Sequence, residues 1–211
     1  MKKVLIIDDH DVVRDGVRRI LGEQQSGAFR FGEASNVSDA LRMVQEEHWD
    51  AAIIDLSLGG QSGLELLREI KQLRPRLPVL ILSMYSEEQY ARRAFKAGAA
   101  GYLTKDSPRA ELVKATARVI GGGRYVSAIM AEKLIRDLER GSDLPLHESL
   151  SDREFQVMCM IASGKTVGEI AASLSLSDKT ISTYRARLLE KLGMKTNAEV
   201  TRYAIRNNIV T

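Results

Sequence analysis

A single cysteine, Cys159, serves all 211 residues, so neither an intramolecular disulfide nor a cysteine metal cluster can form. Long hydrophobic runs are missing as well. The apolar stretch after Met1, Lys2 and Lys3 is only "VLII", too short for a signal peptide, and no later stretch can span a bilayer. There are no internal repeats and no low-complexity tract. His48 and His147 stand alone without ligand spacing, and His10 reads as a surface residue beside a pocket. The glycine run at 121–123 lacks the lysine and serine of a phosphate loop and is expected to be a flexible hinge. These absences predict a cytoplasmic protein with no membrane attachment.

What is present is an ordinary globular composition, 44% apolar and 28% charged, in a chain long enough for two modest domains. The net charge of +3 is unevenly placed. Residues 151–211 hold nine Lys/Arg against six Asp/Glu, which accounts for the whole surplus and points that end towards an anionic partner.

Over the first 120 residues, β-rich runs alternate with amphipathic stretches. Strands are expected at 3–8, 30–35, 51–55, 78–83 and 100–104. Helices between them include 62–73, capped by Ser62 and stopped by "RPRLP", and 86–98, with acids in its first turn and glycine at its end. Five strands alternating with five helices imply a parallel sheet covered on both faces. A further helix is expected at 127–140, then a polar linker at 141–149. Helices alone follow, at 152–163, 167–174, 178–192 and 196–207.

In open α/β sheets functional groups gather beyond the carboxyl ends of the strands. Asp8 and Asp9 leave the first strand, Asp55 the third and Ser83 the fourth, and Lys105 follows the fifth. Singly, each has a plain explanation: a helix cap, a solvated lysine, or for Tyr102 a half-buried strand aromatic. Jointly, three carboxylates on one rim invite a hard divalent cation such as Mg²⁺, and the lysine and hydroxyl suit a phosphoryl group.

The stretches "DDHDVVRDGV", "AAIIDLSLGGQSGLEL" and "PVLILSMYSEEQYARRAFKAGAAGYLTKD" resemble the receiver domain of two-component response regulators, over residues 3–120. The resemblance implies a flavodoxin-like five-stranded fold with Asp55 phosphorylated by a sensor histidine kinase. It implies Mg²⁺ held by Asp9, Asp55 and the carbonyl of Ser57, with Asp8 acting through water. Ser83 and Lys105 would contact phosphoryl oxygens, and Tyr102 would change rotamer on activation. Where the family usually reads Met-Pro this chain has Leu58-Gly59, which predicts a looser loop after Asp55.

At the other end, "TVGEIAASLSLSDKTISTYRARLLEKLG" reads as helix, short turn and helix. Ile170, Ala171 and Leu174 are expected inside on the first, and Ile181, Tyr184, Leu188 and Leu192 on the second. The opposite face, with Lys179, Ser182, Thr183 and Ala186 flanked by Arg185 and Arg187, suits a helix in a DNA major groove. Short side chains allow close approach, and arginines hold phosphates. Thr180 joins the DNA-facing set. The segment 150–208 resembles the LuxR-type helix-turn-helix of NarL/FixJ-family regulators, which puts a dimer contact on the last helix. Ser182 stands where many members carry lysine.

The sequence therefore predicts a receiver domain over 1–122, a linker helix and flexible linker over 123–149, and an all-α four-helix domain over 150–211. The function expected is a phosphorylation-controlled transcriptional regulator rather than an enzyme. Its partners would be a kinase, promoter DNA, a second copy of itself and RNA polymerase. The rival readings are a regulator indifferent to phosphorylation and an aspartyl-phosphate phosphatase.

Overall fold

The apolar run Val4–Ile7 sits at the heart of a parallel sheet because it has no polar side to show water; each of its residues is 1% exposed or less. The computed structural model describes residues 1–24, 29–128, 130–132, 145–207 and 209–210, and the chain divides into two units, Met1–Met130 and Ala131–Thr211. In the first unit β1 (Lys2–Ile7) lies between β2 (Phe29–Ala34) and β3 (Ala51–Ile54). Two short strands follow, β4 (Ser57–Leu58) and β5 (Gln61–Ser62), before β6 (Val79–Ser83) and β7 (Gly101–Thr104). The main sheet runs β2-β1-β3-β6-β7, all parallel, the doubly wound order whose switch point lies between β1 and β3.

Helices α1 (Asp11–Gln24) and α5 (Arg109–Ile120) cover one face, packing Val17, Leu21, Leu112, Ala115 and Val119 on Val4, Ile6, Ile53, Leu80 and Leu82. Leu5, Ile7, Ala52, Ile54 and Ile81 alternate to the other face and are equally buried. There α2 (Val37–Glu46), α3 (Gly63–Leu73) and α4 (Glu87–Lys96) bury Ala40, Val44, Leu67, Ile70, Ala91 and Ala94. Register fixes the rim. Ile7 pairs with Ile54 and the Asp55 N–H donates to the Ile7 carbonyl at 2.9 Å, so Asp8 and Asp55 leave the sheet side by side.

Three local expectations change. The segment after Asp55 is not loose: β4 and β5 form an antiparallel hairpin, pairing Ser57 with Ser62 and Leu58 with Gln61. Gly59 (φ +50°) and Gly60 (φ +87°) make its two-residue turn, the left-handed type that suits hairpin twist. Ser62 precedes α3 but makes no side-chain cap, because it is buried in that hairpin instead. The glycine run at 121–123 is a tight turn rather than an open hinge: the Tyr125 N–H donates to the Ala100 carbonyl at 2.8 Å, and Tyr125 bridges Gly101 in parallel beyond β7. The expected helix at 127–140 falls largely outside the described residues.

In the second unit a 3₁₀ turn, Leu146–Ser149, stands where the sequence predicts linker. Four helices follow: α6 (Asp152–Ala162), α7 (Val167–Leu174), α8 (Asp178–Leu192) and α9 (Asn197–Arg206). Each start is written in the sequence. Ser151/Glu154, Thr166/Glu169 and Thr196/Glu199 are reciprocal capping boxes, and Ser177 caps α8. Ile170, Ala171 and Leu174 of α7 and Ile181, Leu188 and Leu192 of α8 are buried as expected, whereas Tyr184 is only half-buried.

Glu154 does double duty, since its buried carboxylate also pairs with Lys191 at 2.6 Å. Burial alone would raise its pKa, but the Lys191 and Ser151 hydrogen bonds outweigh that and hold it below the usual carboxylate range. A carboxyl lowered in the folded state stabilises above its unfolded pKa, and that stabilisation is lost as pH falls through the folded value. Glu154→Gln, which mimics the protonated form, should therefore lower the urea midpoint at pH 7, and its deficit should close as pH drops below about 4.

Candidate functional site

The rim of the first unit gathers charge from three strand ends. Asp8 and Asp55 are 3% and 4% exposed, and one ammonium serves both: Lys105 Nζ lies 2.7 Å from Asp8 Oδ2 and 2.8 Å from Asp55 Oδ2. Lys105 arrives there because its N–H donates to the Ser83 carbonyl at 2.8 Å, which carries the pairing of β6 and β7 past the end of the sheet. Asp9 completes the cluster. Ligand atoms of Asp8, Asp9, His10 and Asp55 all lie within 4.8 Å of one another.

Burial sets the electrostatics. Desolvation pushes the Asp55 carboxyl above its usual range and the nearby Asp8 adds to this, while Lys105 and the Ser57 N–H pull the other way without prevailing. Burial also works against the charge on Lys105, but hydrogen bonds to Asp55 and Asp8 more than offset it, and its pKa rises. The two shifts have different origins: burial governs Asp55, and the pair of acids governs Lys105.

The Asp9 carboxylate is divided. Its Oδ2 accepts the Gly59 N–H at 2.9 Å. Its Oδ1 is buried and has no hydrogen-bond partner among the described residues; His10 Nδ1 is 2.9 Å away, an ion pair only when that ring is protonated. Three hard carboxylate oxygens, one of them unsatisfied, balanced by one lysine, make a donor set that fits a small divalent cation such as Mg²⁺. His10 is an exposed residue beside this cluster, as the sequence predicts, and its main-chain N–H donates to the Asp8 carboxylate at 2.9 Å.

Ser83 and Tyr102 form a second, connected layer. The Ser83 hydroxyl accepts the Tyr85 N–H at 3.2 Å, and the Tyr102 phenol donates to the Tyr85 carbonyl at 2.8 Å, so Tyr85 joins the two. Tyr102 is buried at 2% exposure rather than half-buried, and burial drives its pKa far up. Ser57 opens the hairpin two residues after Asp55.

On the second unit, α7 ends at Ser175 in the left-handed region (φ 52°), and residues 175–177 turn the chain into α8. Lys179, Ser182, Thr183, Ala186 and Arg187 are exposed along one side of α8. Two candidates are engaged elsewhere. Thr180 is half-buried, its hydroxyl 2.8 Å from that of the capping Ser177, and Arg185 donates from Nε to Asn197 Oδ1 at 2.7 Å.

Comparison with known proteins matches both units. Residues 4–117 fit the model of the response regulator receiver domain, and residues 148–204 that of the bacterial regulatory proteins, luxR family. Response regulator UvrY of Escherichia coli (strain K12) is 37% identical over 210 residues, spanning 99% of this chain and 96% of that protein. Response regulator GacA of Pseudomonas aeruginosa is 36% identical over 211 residues, spanning 100% and 98%. Among solved structures, RcsB of Salmonella typhimurium superposes with a TM-score of 0.60 at 26% identity, covering 97% of this chain and 100% of that one. RcsB bound to promoter P1flhDC in the presence of phosphomimetic BeF3⁻ gives 0.59 at 27% identity, with 96% and 97% covered. A parallel-sheet unit with an acidic rim, followed by a capped four-helix unit, both matched by their families and by relatives along nearly the whole chain, settles the assignment: this chain belongs to the NarL/FixJ family of response regulators, transcriptional regulators with a receiver domain and a LuxR-type DNA-binding domain.

Proposed function

We propose that Asp55 accepts a phosphoryl group from a sensor histidine kinase and that this controls how the helix-turn-helix binds promoter DNA. The observation that carries the reading is the shared lysine. Asp55 and Asp8 are buried against one ammonium with a third carboxylate beside them, an arrangement poor for stability and well suited to receiving a charged group. In the transfer a carboxylate oxygen of Asp55 attacks phosphorus and the bond from phosphorus to the kinase's imidazole nitrogen breaks, leaving an acyl phosphate on Asp55. Asp9, Asp55 and the Ser57 carbonyl would hold Mg²⁺, with Asp8 acting through water. When bound, the ion neutralises charge on the transferring oxygens.

Lys105 then exchanges its bond to Asp55 for one to a phosphoryl oxygen. The Ser83 hydroxyl gains a similar partner, and through the Tyr85 main chain, which bonds both Ser83 and the Tyr102 phenol, the acceptor is linked to that buried ring. On the DNA side, Lys179, Ser182, Thr183 and Arg187 face the major groove, with Thr180 and Arg185 behind them. The promoter-bound RcsB relative supports promoter DNA as the partner. A homodimer through α9, where Ile205 is 52% exposed, fits the same picture, as does a cytoplasmic location and contact with RNA polymerase.

Lys105→Ala separates chemistry from signalling. Asp55 should still be labelled by a small acyl-phosphate donor, while most of the phosphorylation-dependent gain in DNA affinity disappears. If the variant gains affinity on phosphorylation as the unaltered protein does, the lysine is not the sensor. If the unaltered protein binds equally well with and without the donor, DNA binding is independent of phosphorylation.

A further inference from the structure

The hairpin β4–β5 reaches the acidic cluster with a main-chain group: at its turn the Gly59 N–H donates to Asp9 Oδ2 at 2.9 Å. We propose that the Gly59 amide is a positioning group for Asp9: it takes one carboxylate oxygen and thereby aims the other, Oδ1, into the cluster as a cation ligand. The proposal rests on reading Asp8, Asp9 and Asp55 as the Mg²⁺ site.

Asp9 needs such a hold. It lies in the short loop between β1 and α1 with its side chain 29% exposed, so an untethered carboxylate could turn to water. Its Oδ1 is buried without a hydrogen bond, a costly state for a carboxylate oxygen unless the site supplies a cation. The amide that sets this geometry is itself fixed from both sides. Leu58, immediately before it, is 1% exposed. After the turn, a Cβ on Gly63 would lie 2.0 Å from the Asp55 carbonyl oxygen, so the returning strand hugs the acceptor backbone as only glycine can. The Gly63 N–H closes the hairpin onto the Leu56 carbonyl at 2.8 Å. Proline at position 59 has no N–H to give and cannot adopt φ +50°, so a chain with proline there must orient its acid by other means.

The test is Mg²⁺ binding by calorimetry on the full chain, with no phosphodonor present. Gly59→Pro should weaken binding about tenfold or more, the usual cost of losing a group that orients a metal ligand. Gly59→Asn keeps the N–H and tolerates the left-handed region, and should stay within about threefold of the unaltered protein. Gly60→Ala strains the same turn at φ +87° without touching the amide on Asp9, and should resemble Gly59→Asn in affinity. In an Asp9→Asn background, Gly59→Pro should cost nothing further. Amide hydrogen exchange serves independently of how Gly59→Pro folds: the Gly59 N–H should be protected, and Asp9→Ala should remove that protection. Unchanged Mg²⁺ affinity in Gly59→Pro, an equal loss in Gly60→Ala, or Gly59 exchange indifferent to Asp9→Ala overturns the positioning role while leaving the metal site standing. Failure of the unaltered protein to bind Mg²⁺ at millimolar concentration overturns the site and the proposal together.

Discussion

Asp55→Asn protein, offered a small acyl-phosphate donor and Mg²⁺, should take up no measurable phosphoryl group. The change keeps the size of the side chain and leaves Lys105 its bond to Asp8, so the rim should hold its shape while losing its nucleophile. Uptake should fall more than about 100-fold, since removing a nucleophile costs at least as much as removing one electrostatic support. The substitution should also stabilise the metal-free protein, by about 1 kcal/mol in urea unfolding, because a buried acid that must share its lysine becomes neutral. Asp9→Ala should depress uptake as well, through the cation. A phosphoprotein formed at normal yield by Asp55→Asn would move the acceptor to another residue, Asp8 or Asp9 first.

Much of this rim is legible in the sequence because strand ends carry their own signal. A run such as "VLII" or "AAII" can only be buried, and the first charged residue beyond it must lie at the sheet's edge. Asp8, Asp55, Ser83 and Lys105 are placed that way, and parallel register does the rest. The helices of the second unit are legible for a different reason: their caps are side chains, and Ser151, Thr166, Ser177 and Thr196 announce each start.

What is not legible depends on main-chain groups and on competition. Two-residue strands have no periodicity, so the 57–62 hairpin reads as loop, and the Gly59 donor leaves no trace in the letters beyond the Gly-Gly pair. Ser62 has the chemistry of a cap, but hairpin pairing claims it. The run at 121–123 looks like a hinge until the burial of Tyr125 against the sheet edge shows what holds it. On α8, helical spacing cannot tell that Thr180 is drawn into the Ser177 cap or that Arg185 reaches across to Asn197.

That last distinction shapes the second large effect, on DNA binding by the full chain with phosphodonor present. Lys179 and Arg187 are exposed along the outer side of α8 with their charges available to phosphates. Neutralising either should weaken binding to every sequence and lower the magnitude of the slope of log affinity against log salt by about 1, one counterion's worth. Ser182 and Thr183 are short and exposed beside them. The Thr183 hydroxyl donates back to the Lys179 carbonyl at 2.9 Å, which leaves its lone pairs and methyl group to face a base edge. Ser182→Ala or Thr183→Ala should therefore relax preference at one position per half-site, by about 1–3 kcal/mol, with the salt slope unmoved. Thr180→Ala should behave differently from both: its hydroxyl belongs to the cap, so the loss should appear in thermal stability of the unit rather than in base preference. Arg185→Ala should combine the two, removing a positive charge from α8 and the bond that ties α8 to Asn197 at the start of α9. Footprints of two bound copies should lie about one helical turn apart, as two recognition helices on one duplex face require. A salt slope indifferent to Arg187 together with base preferences indifferent to both Ser182 and Thr183 would put the DNA against another face of the unit.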